Sequence, residues 1–153
     1  MKTGLRPVFL ASTCIDINKV HGVTLTSVVT TSIGVDNEEI MFVLKSDSSF
    51  IKIIKSQGAF ALNLLSFQNK EEAVFYSNHS RDYELISKGC NWEEQNAVPV
   101  LKSASAAIKL NLKEVLIRGS NSIVFSGVQS ILEINQKEPL LYGDGKYKVV
   151  STR

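Results

Sequence analysis

From Gly22 to Ile33 the chain reads Gly-Val-Thr-Leu-Thr-Ser-Val-Val-Thr-Thr-Ser-Ile, a run built almost wholly of β-branched and hydroxyl-bearing residues. Such residues favour extended backbone over helix. Side chains alternate faces along a strand. One continuous strand would therefore set Thr24, Thr26, Thr30 and Ser32 on one face, with Val28 among them. Val23, Leu25, Val29 and Ile33 would line the other. Four hydroxyls backed by an apolar face could hold a polar ligand against a rigid sheet. The same row also suits an ordinary solvated strand face.

About a dozen residues further on, Lys45-Ser46-Asp47-Ser48-Ser49 opens a segment with Phe50, Ile53 and Ile54 at helical spacing. The pattern predicts a helix over residues 48–57, with Asp47 or Ser48 as its cap and Gly58 as its stop. A helix N-terminus presents unpaired N–H groups and a partial positive charge, which suits an anion such as phosphate. Lys45 and the serine hydroxyls add donors. The alternative is a plain N-cap beside a solvated lysine, and Asp47 would repel an anion unless turned away. Together the two segments suggest a ligand with a flat polar end and a phosphate end.

The rest of the chain extends the β pattern. Residues 8–15 read as a first strand and residues 16–19 as a turn. Residues 34–38 read as another turn, and 40–44 as a strand buried on both faces. Residues 59–65 read as a strand, followed by a capping box at Asn69-Lys70-Glu71-Glu72 and a short helix through Ala73, Phe75 and Tyr76. Residues 78–96 are polar and irregular, an expected surface excursion pinned by Tyr83 and Trp92. Ile108, Leu110 and Leu112 alternate with Lys109, Asn111 and Lys113, and the apolar parity then shifts to Val115 and Ile117, predicting a bulge near Glu114. Residues 123–134 form a long strand interrupted at Gly127, and Gly143-Asp144-Gly145 joins two short final strands. The fold class expected is mainly β, an antiparallel barrel with short helical covers.

Composition narrows the function classes. At 153 residues one domain spanning 1–153 is expected, and a net charge of +2 without a basic run argues against nucleic acid. No apolar stretch approaches the length of a membrane span, and residues 1–7 lack the features of a signal peptide. Cys14 and Cys90 match no metal spacing, so reduced thiols and a cytoplasmic setting are expected. His21 and His79 form no metal motif; His21, just before the hydroxyl strand, could face the ligand but is expected at a partly exposed strand end, and His79 could meet a cofactor edge or a partner chain but is expected in a solvated loop. There is no Rossmann or P-loop glycine pattern and no nucleophile elbow.

The order of segments resembles the flavin reductase-like family, the FMN-binding split-barrel proteins with Greek-key antiparallel topology. Gly22-Val23-Thr24-Leu25-Thr26-Ser27 with Thr31-Ser32 is similar to that family's Gly-x-Thr-x-Ser-Ser … Ser-x-Ser strand, and Lys45 to Ser49 to its phosphate-side turn. Gly58-Ala59-Phe60-Ala61-Leu62-Asn63-Leu64-Leu65 is similar to its Gly-x-Phe-x-Val-Asn-x-Leu strand. Val98-Pro99-Val100-Leu101 and Pro139-Leu140-Leu141-Tyr142 match later landmarks.

The resemblance implies an NAD(P)H-dependent reductase of FMN, with FAD as the alternative flavin, supplying a partner monooxygenase. A flavin-binding electron carrier or sensor without nicotinamide activity is the second reading. The resemblance also implies a homodimer with flavin at the interface. Backbone groups of Thr24, Leu25 and Thr26 would meet the ring edge; Ser27 and Ser32 would reach the ribityl and phosphate region; Lys45, Ser48 and Ser49 would hold the phosphate. No catalytic acid or base and no metal is implied. Two departures stand out. Gly34-Val35-Asp36-Asn37-Glu38-Glu39 replaces the stretch that carries the family's Asp-Pro-Pro, and Ser122 stands where many reductases carry a Gly-Asp-His histidine close to the nicotinamide.

Overall fold

The computed structural model describes residues 4–16, 19–32, 38–78, 84–85 and 91–149. In chain order its elements are β1 (Arg6–Pro7), β2 (Phe9–Asp16), β3 (Lys19–Leu25), β4 (Val29–Ser32), β5 (Glu39–Lys45), α1 (Ser49–Gln57), β6 (Ala59–Leu64), α2 (Lys70–Ser77), β7 (Glu84–Leu85), β8 (Trp92–Gln95), β9 (Val98–Leu101), β10 (Ala106–Arg118), β11 (Asn121–Ile134), β12 (Leu140–Gly143) and β13 (Lys146–Val149). Eight strands form one antiparallel sheet in the order β4-β5-β11-β10-β6-β2-β3-β7. The hairpin β8–β9 and the small sheet β1-β12-β13 pack outside it.

The hydroxyl-rich run is not one strand. It breaks at Thr26-Ser27-Val28, where the chain leaves β3, near one edge of the large sheet, and enters β4 at the other edge. The sheet must curl for three residues to span that step, which closes it into a barrel. The break ends the alternation read from sequence: Val23, Leu25 and Val28 pack on the barrel core, but Val29 is 49% exposed. Among the described members of the expected hydroxyl row, Thr24 donates to the Ala73 carbonyl of α2 (2.8 Å) and Thr30 is exposed.

The barrel core gathers Ala11, Leu25, Phe42, Phe60, Leu62, Leu110 and Val124 with α1's Phe50, Ile51 and Ile54. Phe60 meets Phe42 and Phe50 edge-on, each at 5.8 Å. A second cluster, with Leu10, Val20, Tyr76, Trp92 and Leu140, lies outside the barrel. β2 therefore serves two cores, Ala11 facing one and Leu10 the other. β5 was expected to be buried on both faces, but Phe42 and Leu44 point inward while Val43 is 37% exposed.

Several local signals land elsewhere than expected. The capping box sits one turn early: Ser66 opens a 3₁₀ turn at Phe67–Asn69, and Asn69 Oδ1 accepts from Ser66 N–H. β11 runs through Gly127 without interruption, because β5 and β10 pair it from both sides there. The 78–96 region contains β8, whose Trp92 is buried against Tyr76. The bulge near Glu114 is present as a register shift between Leu112 and Glu114. Tyr83, His79, Cys90 and the turns at 17–18 and 33–37 lie outside the described residues.

Asn63 on β6 is fully buried and bonds three ways: Nδ2 donates to Leu10 O and Ser12 Oγ, and Oδ1 accepts from Leu101 N–H (2.8, 2.9 and 3.0 Å). It joins β2, β6 and β9 where no ladder runs between all three. Asn63→Ala strands buried polar groups that cost about 1–3 kcal/mol each. Urea unfolding is expected to show a loss of at least roughly 2 kcal/mol, with the m-value unchanged.

Candidate functional site

β3 has a paired inner edge and a largely open outer one. β2 pairs it along its length, but among the described residues β7 covers its outer edge only at Lys19 and Val20. From His21 to Leu25 that edge lines a cavity of about 650 Å³. The far wall is the turn that leads from β5 into α1, including Lys45, Asp47, Ser48 and Ser49. Tyr76 and Asn78 at the end of α2, and Asn121 at the start of β11, complete the lining.

Gly22 makes the close approach of α2 feasible. A Cβ there would lie 2.8 Å from Tyr76 Cδ1 and 3.0 Å from Leu10 Cδ2. The Tyr76 ring therefore lies directly over the strand.

The opposite end is built by capping geometry. α1 stops where Gly58 takes the left-handed conformation (φ 80°), its N–H bonding Ile54 O at 2.7 Å. At the other terminus Ser48 is the N-cap residue (φ −60°, ψ 127°), yet its side chain makes no capping bond. The first turn has no acidic residue. Its N–H groups keep their positive end toward the cavity. His21, 6% exposed, brings Nε2 to 2.8 Å from Ser49 Oγ, and its ring packs 5.9 Å from Phe50.

The turn itself is tied to the β10–β11 hairpin. Ser46 N–H donates to Ser120 O (2.9 Å), Ser46 Oγ donates to Gly119 O (2.9 Å), and the Ser46 and Ser122 hydroxyls share a bond of 2.9 Å. Ser122 is 1% exposed and does not line the cavity. Strand alternation turns its side chain inward, behind the turn it helps to hold, so any influence on a nicotinamide would pass through that turn.

Seven of the eight expected flavin contacts, Thr24, Leu25, Thr26, Ser27, Lys45, Ser48 and Ser49, line this one cavity. The eighth, Ser32, ends β4 opposite Glu39, across the strand break from Thr24. Ser27 lines the cavity, but its hydroxyl accepts from Val43 N–H (3.0 Å) and donates to Val43 O (3.3 Å), fastening the strand break to β5. The sequence pattern did not point to Tyr76, Asn78 or Asn121, and it favoured a partly exposed strand end for His21 over a ligand-facing position. The short distance between His21 and the helical signal at Ser49 exists only once β3 and α1 are packed together.

Among the described residues no His, Cys, Asp and Glu cluster could hold a metal ion. Burial, then Glu94, pushes the Cys14 thiol up from its ordinary value. That favours the thiol over the reactive thiolate.

A family model described as flavin reductase like domain matches residues 1–151. The chain belongs to that family. A curated relative, the reductase subunit HsaB of a flavin-dependent monooxygenase from Rhodococcus jostii, is 30% identical over 95 residues. That match takes in 61% of this chain and 47% of the relative, so the chain aligns with about half its length. BorF, the flavin reductase component of a bacterial two-component tryptophan halogenase, superposes with a TM-score of 0.84 at 18% identity over 98% of this chain and 93% of its own. The NADH:FAD oxidoreductase of Streptomyces globisporus, solved with NAD and FAD fragments, gives 0.82 at 15% identity over 97% and 87%. These likenesses establish the split-barrel fold shared by flavin reductases.

Gly22→Ala should force Tyr76 away from β3 and cost about 1–3 kcal/mol, the usual range for overpacking. Trp92, which meets Tyr76 edge-on at 5.8 Å, is the only tryptophan, so a shift in its emission reports the movement. Unchanged emission and unchanged stability would show that the Tyr76 contact is loose.

Proposed function

We propose that this protein is an NAD(P)H-dependent flavin reductase that binds FMN in the cavity between β3 and α1 and passes reduced flavin to a partner monooxygenase. The observation that carries it is an open strand edge and an unblocked helix N-terminus set at two sides of one cavity, in a chain of this family. A flat heteroaromatic ring with donors and acceptors on its rim fits the first, and a phosphate fits the second.

When bound, the flavin supplies a two-electron acceptor for hydride from a reduced nicotinamide. Backbone groups of Thr24, Leu25 and Thr26 then orient the ring, a role their side chains need not share, since Thr24's hydroxyl is committed to α2. Lys45, Ser48 and Ser49 hold the phosphate. Asp47 also lines the cavity and is exposed, so its charge is solvated. FAD, seen as fragments with the Streptomyces globisporus neighbour, presents the same ring and first phosphate. No side-chain acid or base is assigned, because hydride transfer asks the protein for position and a preorganised field.

Anaerobic stopped-flow mixing of the FMN-loaded protein with NADH, and separately with NADPH, tests the activity. Bleaching of the flavin band with at least one of them is expected. No bleaching with either would leave the second reading, an electron carrier or sensor. The feature that favours that second reading is the serine at 122, where many reductases of the family carry a histidine.

The proposal extends to a homodimer. Val29, Met41 and Phe125 are register neighbours across β4, β5 and β11, as are Val43, Ile123 and Leu116 across β5, β11 and β10. None belongs to the barrel core, so they form an outward apolar face, and Val43 also lines the cavity. A second copy covering that face would add its own groups to the site. Ile123→Glu should convert the dimer to monomer in sedimentation equilibrium and weaken flavin binding with it; a monomeric wild type would end the dimer proposal. Free thiol at Cys14 and the need for reduced nicotinamide both suit the cytoplasm.

A further inference from the structure

We infer that His21 is a positioning residue for the anion end of the cavity, acting through Ser49 to set the preference for a phosphorylated flavin. The inference rests on the flavin reading above and gives a role to a residue for which the sequence favoured a strand-end position over a ligand-facing one.

Ser49 is the first residue of α1, is exposed, and lines the cavity. An exposed serine hydroxyl ordinarily rotates among several partners. Here Oγ lies 2.8 Å from Nε2 of a histidine that is itself held, 6% exposed and packed against the Phe50 ring. Phe50 in turn is fully buried in the barrel core. A rigid core thus fixes His21, and His21 fixes the one hydroxyl that stands on the first turn of the helix.

The direction of the bond decides its consequence. A serine hydroxyl has one proton and two lone pairs. If Nε2–H donates to Ser49 Oγ, the serine proton stays available for an oxygen in the cavity. If the imidazole nitrogen accepts instead, that proton is spent. A phosphate monoester offers only acceptors under ordinary conditions, so its arrival selects the arrangement in which His21 donates inward and Ser49 donates to the ligand. Ser48 strengthens the case from the backbone side. Its side chain leaves the first-turn N–H groups uncapped, so the hydroxyl of Ser49 and those amides converge on the same end of the cavity. Riboflavin has the same ring and no phosphate, so it should be indifferent to this device.

The test measures dissociation constants for FMN and riboflavin by fluorescence quenching on the full chain. The proteins are wild type, Ser49→Ala, His21→Leu, His21→Gln and the double variant Ser49→Ala/His21→Leu. A hydrogen bond to a charged group is worth roughly tenfold or more in binding. His21→Leu and Ser49→Ala should each weaken FMN about tenfold, with riboflavin held within about twofold. The double variant should be no weaker than either single one, because His21 acts only through Ser49. His21→Gln, which keeps a side-chain donor, should recover most of the FMN affinity.

Equal losses for FMN and riboflavin, a double variant whose loss is the product of the two, or no FMN loss in either His21→Leu or Ser49→Ala would each overturn the positioning role. Thermal unfolding of each variant identifies simple misfolding. Should His21→Leu fail to fold, His21→Ala takes its place beside the exposed-site Ser49→Ala: an unchanged FMN-to-riboflavin ratio in either overturns the role. A wild type that binds both flavins equally overturns the anion end itself. One that binds neither overturns the flavin reading beneath it.

Discussion

The structure turns on a three-residue step. At Thr26-Ser27-Val28 the chain passes from β3 to β4, which stand near opposite edges of the eight-stranded sheet. So short a connection between opposite sheet edges demands a curled sheet. Ser27 secures the step by bonding both the N–H and the carbonyl of Val43, taking the place of a ladder partner where no ladder forms. Closing the barrel here leaves the outer edge of β3 without a neighbouring strand from His21 to Leu25 among the described residues, and β5 runs out beside it into Lys45 and α1. The cavity is a consequence of closure.

An open strand edge is ordinarily a liability, since its N–H and C=O groups invite pairing with another chain. In this fold α2 shields it from one side. Thr24 bonds the Ala73 carbonyl, and Gly22 lets Tyr76 come close against the strand. What stays accessible is a short row of backbone groups facing a helix N-terminus. Backbone recognition suits a flat heteroaromatic ligand because the groups are rigid and their spacing is set by the strand.

Serines carry much of the local architecture, each for a different reason. Ser27 closes the barrel, Ser46 and Ser122 hold the α1 turn to the β10–β11 hairpin, and Ser49 meets His21. Ser126 and Ser12 satisfy carbonyls of Ile40 and Pro99 inside the protein. Small hydroxyls serve here because they donate and accept without filling the space that Phe42, Phe50 and Phe60 occupy.

The sequence by itself determined those elements whose pattern is local. Alternation at Ile108, Leu110 and Leu112 made β10, the parity shift made its bulge, and the helical spacing of Phe50 and Ile54 with Gly58 behind them made α1. These are signals between residues a few positions apart, where the chain's own geometry fixes who is near whom. The ordered motifs also pointed to the family, and seven contact residues of the expected site do share one cavity. Only the tertiary structure decided what each hydroxyl is for. The hydroxyls of Thr24, Ser27 and Ser122 bond Ala73, Val43 and Ser46, all distant in sequence and none of them suggested by the pattern. His21 read as a strand-end histidine and proved to be buried against α1. A hydrogen bond is settled by which atoms lie within about 3 Å, and across β3, β5, α1 and β11 that distance is set by how the barrel closes, which no local pattern encodes.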